Sequence, residues 1–184
     1  MKQNQAQKIL AAAAIVVQKQ GIANLTIDGV AKTVGMSKGG VLHHFRTKDQ
    51  LIEALVRHTA EGFLRSTYES YESVPPGPGR MVRGLIENCL DNSDVWTKEI
   101  RGQSSAIFAA LAHEPKLLKP MRDAYDELFE LLKKDNLPPG VSETVLAALD
   151  GIWFRWVLGF GPVDQSLFEN VSKTLRKLIE DSID

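Results

Sequence analysis

Residues 37–45 carry the side chains with the clearest capacity for contacts with another molecule. Their order, Ser-Lys-Gly-Gly-Val-Leu-His-His-Phe, combines one ammonium group and two imidazoles with adjacent glycines. Lys38 can donate hydrogen bonds to a phosphate or to the O6 and N7 atoms of guanine. Gly39 and Gly40 each cost about 1 kcal/mol in a helix relative to alanine, and they allow a close approach of the backbone to a duplex. The alternative is a short packed helix that simply tolerates both glycines.

Helix signals around this stretch predict the elements that hold it in place. Thr26 can cap a helix whose apolar residues recur at helical spacing, and Gly35 can end that helix with a positive φ. Ser37 can cap the next helix, and Thr47 with Gln50 predicts a capping box that opens a third. Two short helices joined by a glycine turn indicate a helix-turn-helix, whose second helix lies in the DNA major groove.

Residues 8–55 resemble the TetR family of bacterial transcriptional repressors. The matching positions follow the family's spacing: Thr26, Val30, Ala31, Val34, Gly35, Met36, Ser37, Gly39, His44, Phe45, Lys48 and Leu51. The resemblance implies an all-α fold of about nine helices. It further implies a helix-turn-helix DNA-binding domain over residues 1–46, and a larger helical domain for ligand binding and dimerisation over residues 47–184.

We expect the DNA-binding residues to lie at helix starts and along the second motif helix: Thr26, Ser37, Lys38, Gly39, Gly40, Leu42, His43, His44 and Lys48. Free N–H groups and the positive end of the helix dipole favour a phosphate oxygen near Thr26 and Lys48. By the resemblance, His44 holds a position that commonly contacts phosphate. Gly40 and Leu42 lack hydroxyl groups that are frequent in the family, so we expect DNA shape to contribute to site choice.

The rest of the chain also follows helical spacing. Further helices are predicted over residues 5–20, 47–72, 80–91, 94–113, 115–135, 142–160 and 164–182. Proline and glycine clusters separate several of them, at residues 74–79, 136–140 and 159–162. No segment alternates polar and apolar residues with period two, so we predict no sheet.

Charge is distributed unevenly along the 184 residues, although the formal net charge is only −1. Residues 1–50 contain seven Lys or Arg against two Asp or Glu, whereas residues 51–184 contain fifteen against twenty-one. Residues 1–50, the head, thus carry a charge of +5, and residues 51–184, the body, are acidic. This distribution is expected when one end of a protein faces phosphates, and a chance difference in charge is the alternative. The single cysteine, Cys89, permits no internal disulfide and fits a reducing cytoplasm.

One head makes too few contacts for tight and specific binding, so we expect a homodimer on a pseudo-palindromic double-stranded DNA operator. The last helix shows an apolar stripe, and the helix before it carries small residues along one side. The resemblance favours a four-helix bundle formed by these helices of two subunits, and an internal core of one subunit is the alternative. The candidate interface residues are Ala148, Gly151, Arg155, Phe168, Val171, Leu175 and Leu178.

The body is larger than dimerisation requires and is rich in large, adaptable side chains. With the resemblance, this composition favours a cavity for a small hydrophobic effector between the body helices. The candidate lining residues are Met81, Leu85, Cys89, Phe108, Met121, Tyr125, Phe129, Asp150 and Trp153. For any one of the apolar residues, a place in an ordinary core is the alternative.

Asp150 is the most informative of these candidates because it shares a helix face with apolar residues. A carboxylate in that position needs a partner or incurs a large desolvation cost. Two outcomes stay open: an ion pair with Arg122 or Arg155, or a pocket for a cationic aromatic ligand, with Trp153 as a stacking face.

Together with the resemblance, these patterns predict a ligand-responsive dimeric repressor, which leaves DNA when its effector binds. The alternative is a helix-turn-helix scaffold that acts as a ligand-independent regulator or as a protein-interaction module. An enzyme is disfavoured because the sequence shows no nucleophile beside a base, no phosphate-cradling glycine motif and no metal-ligand spacing. No cofactor is expected, and no apolar run reaches the roughly 18 residues that cross a bilayer.

Overall fold

The computed structural model describes residues 4–21, 24–92 and 96–183, without the side chains of residues 99, 103, 105, 106 and 109. Within those ranges the protein is helical and contains no strand, which confirms the all-α prediction. The α-helices of the described residues are α1 Gln5–Gln20, α2 Ile27–Val34, α3 Lys38–His44, α4 Lys48–Ser73, α5 Arg80–Ile86, α6 Lys98–His113, α7 Lys119–Leu132, α8 Val141–Leu158 and α9 Gln165–Ile183.

Three of the predicted helices differ from the prediction at one end. The helix predicted to run through residue 91 ends as α-helix at Ile86 and continues as a π-helical segment, Glu87–Asp91. The helix predicted from residue 94 begins at Lys98, and residues 93–95 lie outside the described residues. The chain after Pro115 first forms a 3-10 turn, and α7 begins only at Lys119. Pro120 then occupies the first turn of α7, where its missing N–H costs no helical hydrogen bond.

The chain divides into two compact units, residues 1–61 with 98–123 and residues 62–97 with 124–184. The first unit contains α1, α2, α3 and α6, and in it α1 packs against both α2 and α6. Its core is formed by fully buried apolar side chains from the head helices and the start of α4, among them Ile9, Ala13, Val30, Val41, Leu51 and Ile52. The boundary predicted between residues 46 and 47 stays a prediction.

Capping bonds form at the starts of α2 and α4, where the sequence predicts helix caps. The Thr26 hydroxyl accepts a hydrogen bond from the Gly29 N–H at 3.0 Å, and Gly35 ends α2 in the left-handed region at φ 74°. The Thr47 hydroxyl likewise accepts from the Gln50 N–H at 3.1 Å. The Gln50 side chain accepts in turn from the N–H of Arg46, one residue before the position that the capping box predicts.

The second unit is built from α5, α8, α9, the later turns of α4 and most of α7 around one apolar core. Its fully buried members include Met81, Val82, Ile86, Leu128 and Val145. The N–H groups of Met81 and Val82 donate to the carboxylate of Asp135 at 2.6 and 3.1 Å. Asp135 thereby caps α5 from a distant part of the chain, because Gly79 at the N-cap has no side chain.

Gly84 permits a close crossing of α5 over α4. A Cβ atom added at this position would overlap the backbone carbonyl oxygen of Ser70. Gly62, which is also helical and exposed, would meet nothing within 4 Å of an added Cβ.

We therefore expect Gly84→Ala to lower the free energy of unfolding by about 1–3 kcal/mol, because the two backbones must separate. The matched variant Gly62→Ala should raise it by up to about 1 kcal/mol, since alanine favours the helix. Denaturant unfolding of both variants measures these changes. Equal stabilisation by both substitutions would show that Gly84 does not lie at a tight crossing.

Candidate DNA-binding surface and effector site

The structure places all nine predicted DNA-binding residues in the first unit, on α2, on α3 and at the start of α4. Val41 of α3 is fully buried, so the helix is fixed by one apolar side chain. Gly40, Leu42 and Lys48 are half-buried. The other six are exposed: Thr26, Ser37, Lys38, Gly39, His43 and His44. The stretch that the sequence singled out thus forms a helix with polar side chains facing solvent.

The two histidines contact each other edge to face at the end of α3. Their ring centroids are 5.4 Å apart and their planes are inclined by 82°. The two rings thus meet, although neighbouring residues on a helix point in different directions. His43 and His44 are therefore available together at the exposed end of the helix.

Lys38 forms an ion pair that the sequence analysis did not predict. Its Nζ atom lies 2.9 Å from Oδ2 of Asp28 in the first turn of α2. Both side chains remain mostly exposed, at 58% and 67%. The pair joins the beginnings of the two motif helices.

The two glycines of α3 differ in how closely neighbouring atoms of the chain surround them. A Cβ atom at Gly40 would lie 3.2 Å from Cε of Met36 and 3.3 Å from Oγ of Ser37. At Gly39 the nearest atom would be the same Ser37 oxygen, at 4.0 Å. The described residues therefore leave room for a side chain at position 39, so packing among them does not require glycine there.

We expect Gly39→Ala to stabilise the fold by up to about 1 kcal/mol and to weaken DNA binding at least about tenfold. The added methyl group favours the helix but obstructs close approach of the backbone to the duplex. Denaturant unfolding and duplex titration measure the two effects, with Gly62→Ala as the control that is stabilised but binds normally. Unchanged affinity of the Gly39→Ala variant would remove the glycine surface from the interface.

The predicted effector residues are divided between the two units. Phe108 and Met121 belong to the first unit. The other seven belong to the second: Met81, Leu85, Cys89, Tyr125, Phe129, Asp150 and Trp153. Met81 and Leu85 are buried members of the core of that unit, at 0% and 5% exposure, as the alternative interpretation of these residues allows.

Asp150 pairs with a tyrosine and not with an arginine. The Tyr125 hydroxyl donates to Oδ1 of Asp150 at 2.7 Å. Arg155, which the sequence analysis considered as a partner, donates instead to the carbonyl oxygens of Phe160 and Pro162 at 3.3 and 3.2 Å. Arg122, the second suggested partner, lies in the first unit.

Two aromatic rings lie against the Tyr125 ring of this pair. Phe63 of α4 stacks on the Tyr125 ring with centroids 5.1 Å apart and planes inclined by only 7°. The Phe129 ring lies 6.3 Å from that of Tyr125 and is 41% exposed. Phe63 is a site residue that the sequence analysis missed, since nothing in the spacing of α4 relates it to α7.

The Asp150 carboxylate lies where a negative charge is poorly solvated. Burial raises the pKa of Asp150, and the Tyr125 hydrogen bond offsets only part of that rise. Burial also raises the pKa of Tyr125 above its usual value, with the charge of Asp150 as the next cause. The pKa of Cys89 is raised to about 12 by burial and then by Asp150. No cation pairs with Asp150 among the described residues.

A recess of about 570 Å³ lies between the end of α7 and the start of α8. Of the predicted effector residues, only Phe129 lines it. The other lining residues are Leu132, Lys133, Asn136, Leu137, Pro138, Pro139, Ser142 and Glu143. The exposed ring of Phe129 thus lines the recess and also lies near the Tyr125 ring.

The predicted interface residues differ in their accessibility. Phe168 and Leu175 are buried in the core of their own unit, each at 5% exposure, and the Trp96 ring lies 4.9 Å from Phe168. Gly151 is exposed, and Ala148, Arg155, Val171 and Leu178 are half-buried. An exposed stripe at helical spacing runs along α8, and sequence analysis missed most of it: Ala147, Gly151, Phe154 and Leu158, followed by Phe160.

The described part of the chain holds neither a group of metal ligands nor a membrane-spanning helix. No three His, Cys, Asp or Glu side chains there are grouped as ligands for a metal ion. No described helix is both long and apolar enough to cross a membrane.

Two family descriptions match the chain. Residues 9–55 match "Bacterial regulatory proteins, tetR family", and residues 79–180 match "Tetracyclin repressor-like, C-terminal domain". The HTH-type transcriptional regulator BetI of Burkholderia thailandensis is 27% identical, and the match covers 91% of this chain and 86% of BetI.

Solved structures give the same result. The multidrug binding protein EbrR complexed with malachite green is 27% identical, with a TM-score of 0.72 over 96% of this chain and 99% of EbrR. EbrR complexed with ethidium is 26% identical, with a TM-score of 0.68 over 97% and 100%. The motif, the helical fold and these matches indicate a regulator and not an enzyme. The chain belongs to the TetR family of bacterial transcriptional regulators.

Proposed function

We propose that this regulator is a cytoplasmic repressor that binds a pseudo-palindromic operator as a homodimer and leaves it when an aromatic cation binds the body. The DNA-binding part of this proposal rests on α3. The buried Val41 fixes this short helix, and its polar side faces solvent. Residues 1–46 supply the DNA-binding domain, and residues 47–184 supply the ligand-binding and dimerisation domain.

The exposed stripe of α8 supports the homodimer. Gly151 is helical and exposed, and a Cβ there would meet nothing within 4 Å in the same chain. Phe154 and Leu158 continue the stripe at 43% and 39% exposure. Small residues beside exposed apolar ones suit the close approach of a second helix, which buries the apolar surface.

We expect Gly151→Glu to convert the homodimer to monomers and to weaken operator binding, because it places a carboxylate in the interface. The matched control is Gly62→Glu, which puts the same side chain on another exposed helical glycine. Sedimentation of both variants measures the mass, and circular dichroism checks that both are folded. Dimers of equal stability in both variants would reject α8 as the interface.

The Asp150 site supports the effector class. A half-buried carboxylate with no cationic partner among the described residues favours a ligand that brings a positive charge. The stacked rings of Phe63 and Tyr125 and the exposed Phe129 favour an aromatic ligand. EbrR was solved with ethidium and with malachite green, which are both aromatic cations.

The 26-residue helix α4 is the proposed link between effector and DNA. Its first turn follows the head, and its later residues include Phe63, which stacks on Tyr125. A ligand that favours one arrangement of these later residues shifts the population of α4 positions. The separation of the two recognition helices then no longer matches successive major grooves, which lie about 34 Å apart.

We expect Asp150→Asn to weaken binding of aromatic cations about tenfold, since the amide still accepts the Tyr125 hydrogen bond but removes the charge. Tetraphenylphosphonium, which is too bulky to intercalate, and neutral triphenylphosphine oxide are the paired probes. Titration calorimetry should show a loss for the cation alone, with operator affinity unchanged. Because burial raises the pKa of Asp150, cation affinity should also fall with decreasing pH sooner than for an ordinary aspartate.

Equal losses for the cation and the neutral probe would show that Asp150 acts through structure and not through charge. Failure of the wild-type protein to release DNA with any aromatic cation would reject this effector class. The remaining candidate function would then be a regulator that needs no ligand.

A further inference from the structure

Lys38 and Asp28 form the one ion pair between two helices of the motif that the described residues show. Lys38 is also the only Lys or Arg in the sequence of α3, from Lys38 to His44. The ammonium group that sequence analysis assigned to DNA is therefore already engaged, 2.9 Å from a carboxylate oxygen. This engagement calls for an explanation in terms of DNA binding.

The ion pair between Lys38 and Asp28 is not explained by a contribution to the stability of the head. Exposed ion pairs contribute little to folding, because water and salt screen the charges and two side chains lose freedom. Both members of this pair are more than half exposed. The capping bonds of Thr26 and Ser37 and the buried Val41 already fix both helices.

The pair changes how Lys38 meets a phosphate. A free lysine gains affinity for any duplex by releasing condensed counterions. A lysine paired with Asp28 brings a carboxylate toward the phosphate backbone, and the repulsion cancels much of that gain. The ion pair therefore weakens the contact of Lys38 with the phosphates of unrelated DNA sequences.

The pair changes contact with a base edge much less. An ammonium group has three N–H donors, and the Asp28 carboxylate occupies one of them. The remaining two can reach O6 and N7 of guanine, which carry partial charges and no formal negative charge. The carboxylate also restricts the long lysine side chain to a narrow set of positions, which lowers the entropy lost on binding.

We propose that Asp28 is a specificity-determining positioning residue that holds Lys38 for a guanine edge and withholds it from phosphates. This inference rests on the proposed binding of DNA through α3. It adds that the Asp28 carboxylate improves discrimination between DNA sequences and lowers the affinity for unrelated duplexes.

The test compares Asp28→Asn with wild type in the full-length protein. The two probes are a duplex that wild type selects from a random pool and an unrelated duplex of equal length. Asparagine keeps the size of the side chain and removes its charge. We expect affinity for the unrelated duplex to rise about tenfold, with the dependence on salt steeper by about one unit per head. We also expect a smaller loss of affinity when the contacted guanine is replaced by adenine. The temperature of thermal unfolding should stay unchanged.

Two controls separate this role from a general effect of charge. Glu53→Gln removes a carboxylate from a similar exposed pair, in which Glu53 lies 2.8 Å from Arg57 on α4, and it should leave specificity unchanged. Asp28→Asn made in a Lys38→Ala background should also have no effect on specificity. An equal effect with and without Lys38, or an unchanged ratio of specific to unrelated binding, would overturn the proposal for Asp28 alone. Wild-type protein that selects no duplex and binds none at low salt would overturn the proposed function as well.

Discussion

Burial of Val41 is the contact on which the DNA-binding surface depends. A helix of seven residues is too short to be stable by itself, because nucleation is unfavourable and few hydrogen bonds follow. One fully buried side chain and the Ser37 cap fix α3 to the head and leave its lysine, its first glycine and its histidines in solvent. The same residues would present no rigid surface on an unanchored segment.

A comparable constraint governs the body, where the half-buried Asp150 carboxylate accepts a hydrogen bond from Tyr125. The Tyr125 hydroxyl satisfies one lone pair of Asp150 but supplies no charge. The cost of ionising the carboxylate, visible in its raised pKa, is therefore not fully offset within the described residues. A bound cation would offset it, and this deficit is the reason for the aromatic cation proposed as the effector.

Local signals made most of the fold predictable from the sequence. Thr26, Gly35 and Ser37 act on their own helices, so their spacing alone predicted the caps and the turn that the structure shows. The π-helical segment after Ile86 was not predictable in this way, because α-helical and π-helical spacing barely differ over five residues. Phe168 and Leu175 were ambiguous for another reason, since an apolar stripe suits a core as well as an interface.

The contacts between distant residues were beyond the reach of spacing. The need of the Asp150 carboxylate for a partner follows from the sequence, but helical periodicity does not say which face of α7 lies opposite. Asp28 was likewise unremarkable in the sequence, although it neutralises the lysine that the motif presents. In both places the chemistry depends on which helices pack together, and only the three-dimensional structure gives that information.

We propose that two copies of α3 enter neighbouring major grooves. Methylation of the bound duplex by dimethyl sulfate tests it directly, since guanine N7 lies in the major groove and adenine N3 in the minor groove. We expect protection of guanine N7 in two clusters about one helical turn apart, with adenine N3 unprotected at their centres. Protection confined to adenine N3, or a single cluster of protected guanines at saturation, would contradict it.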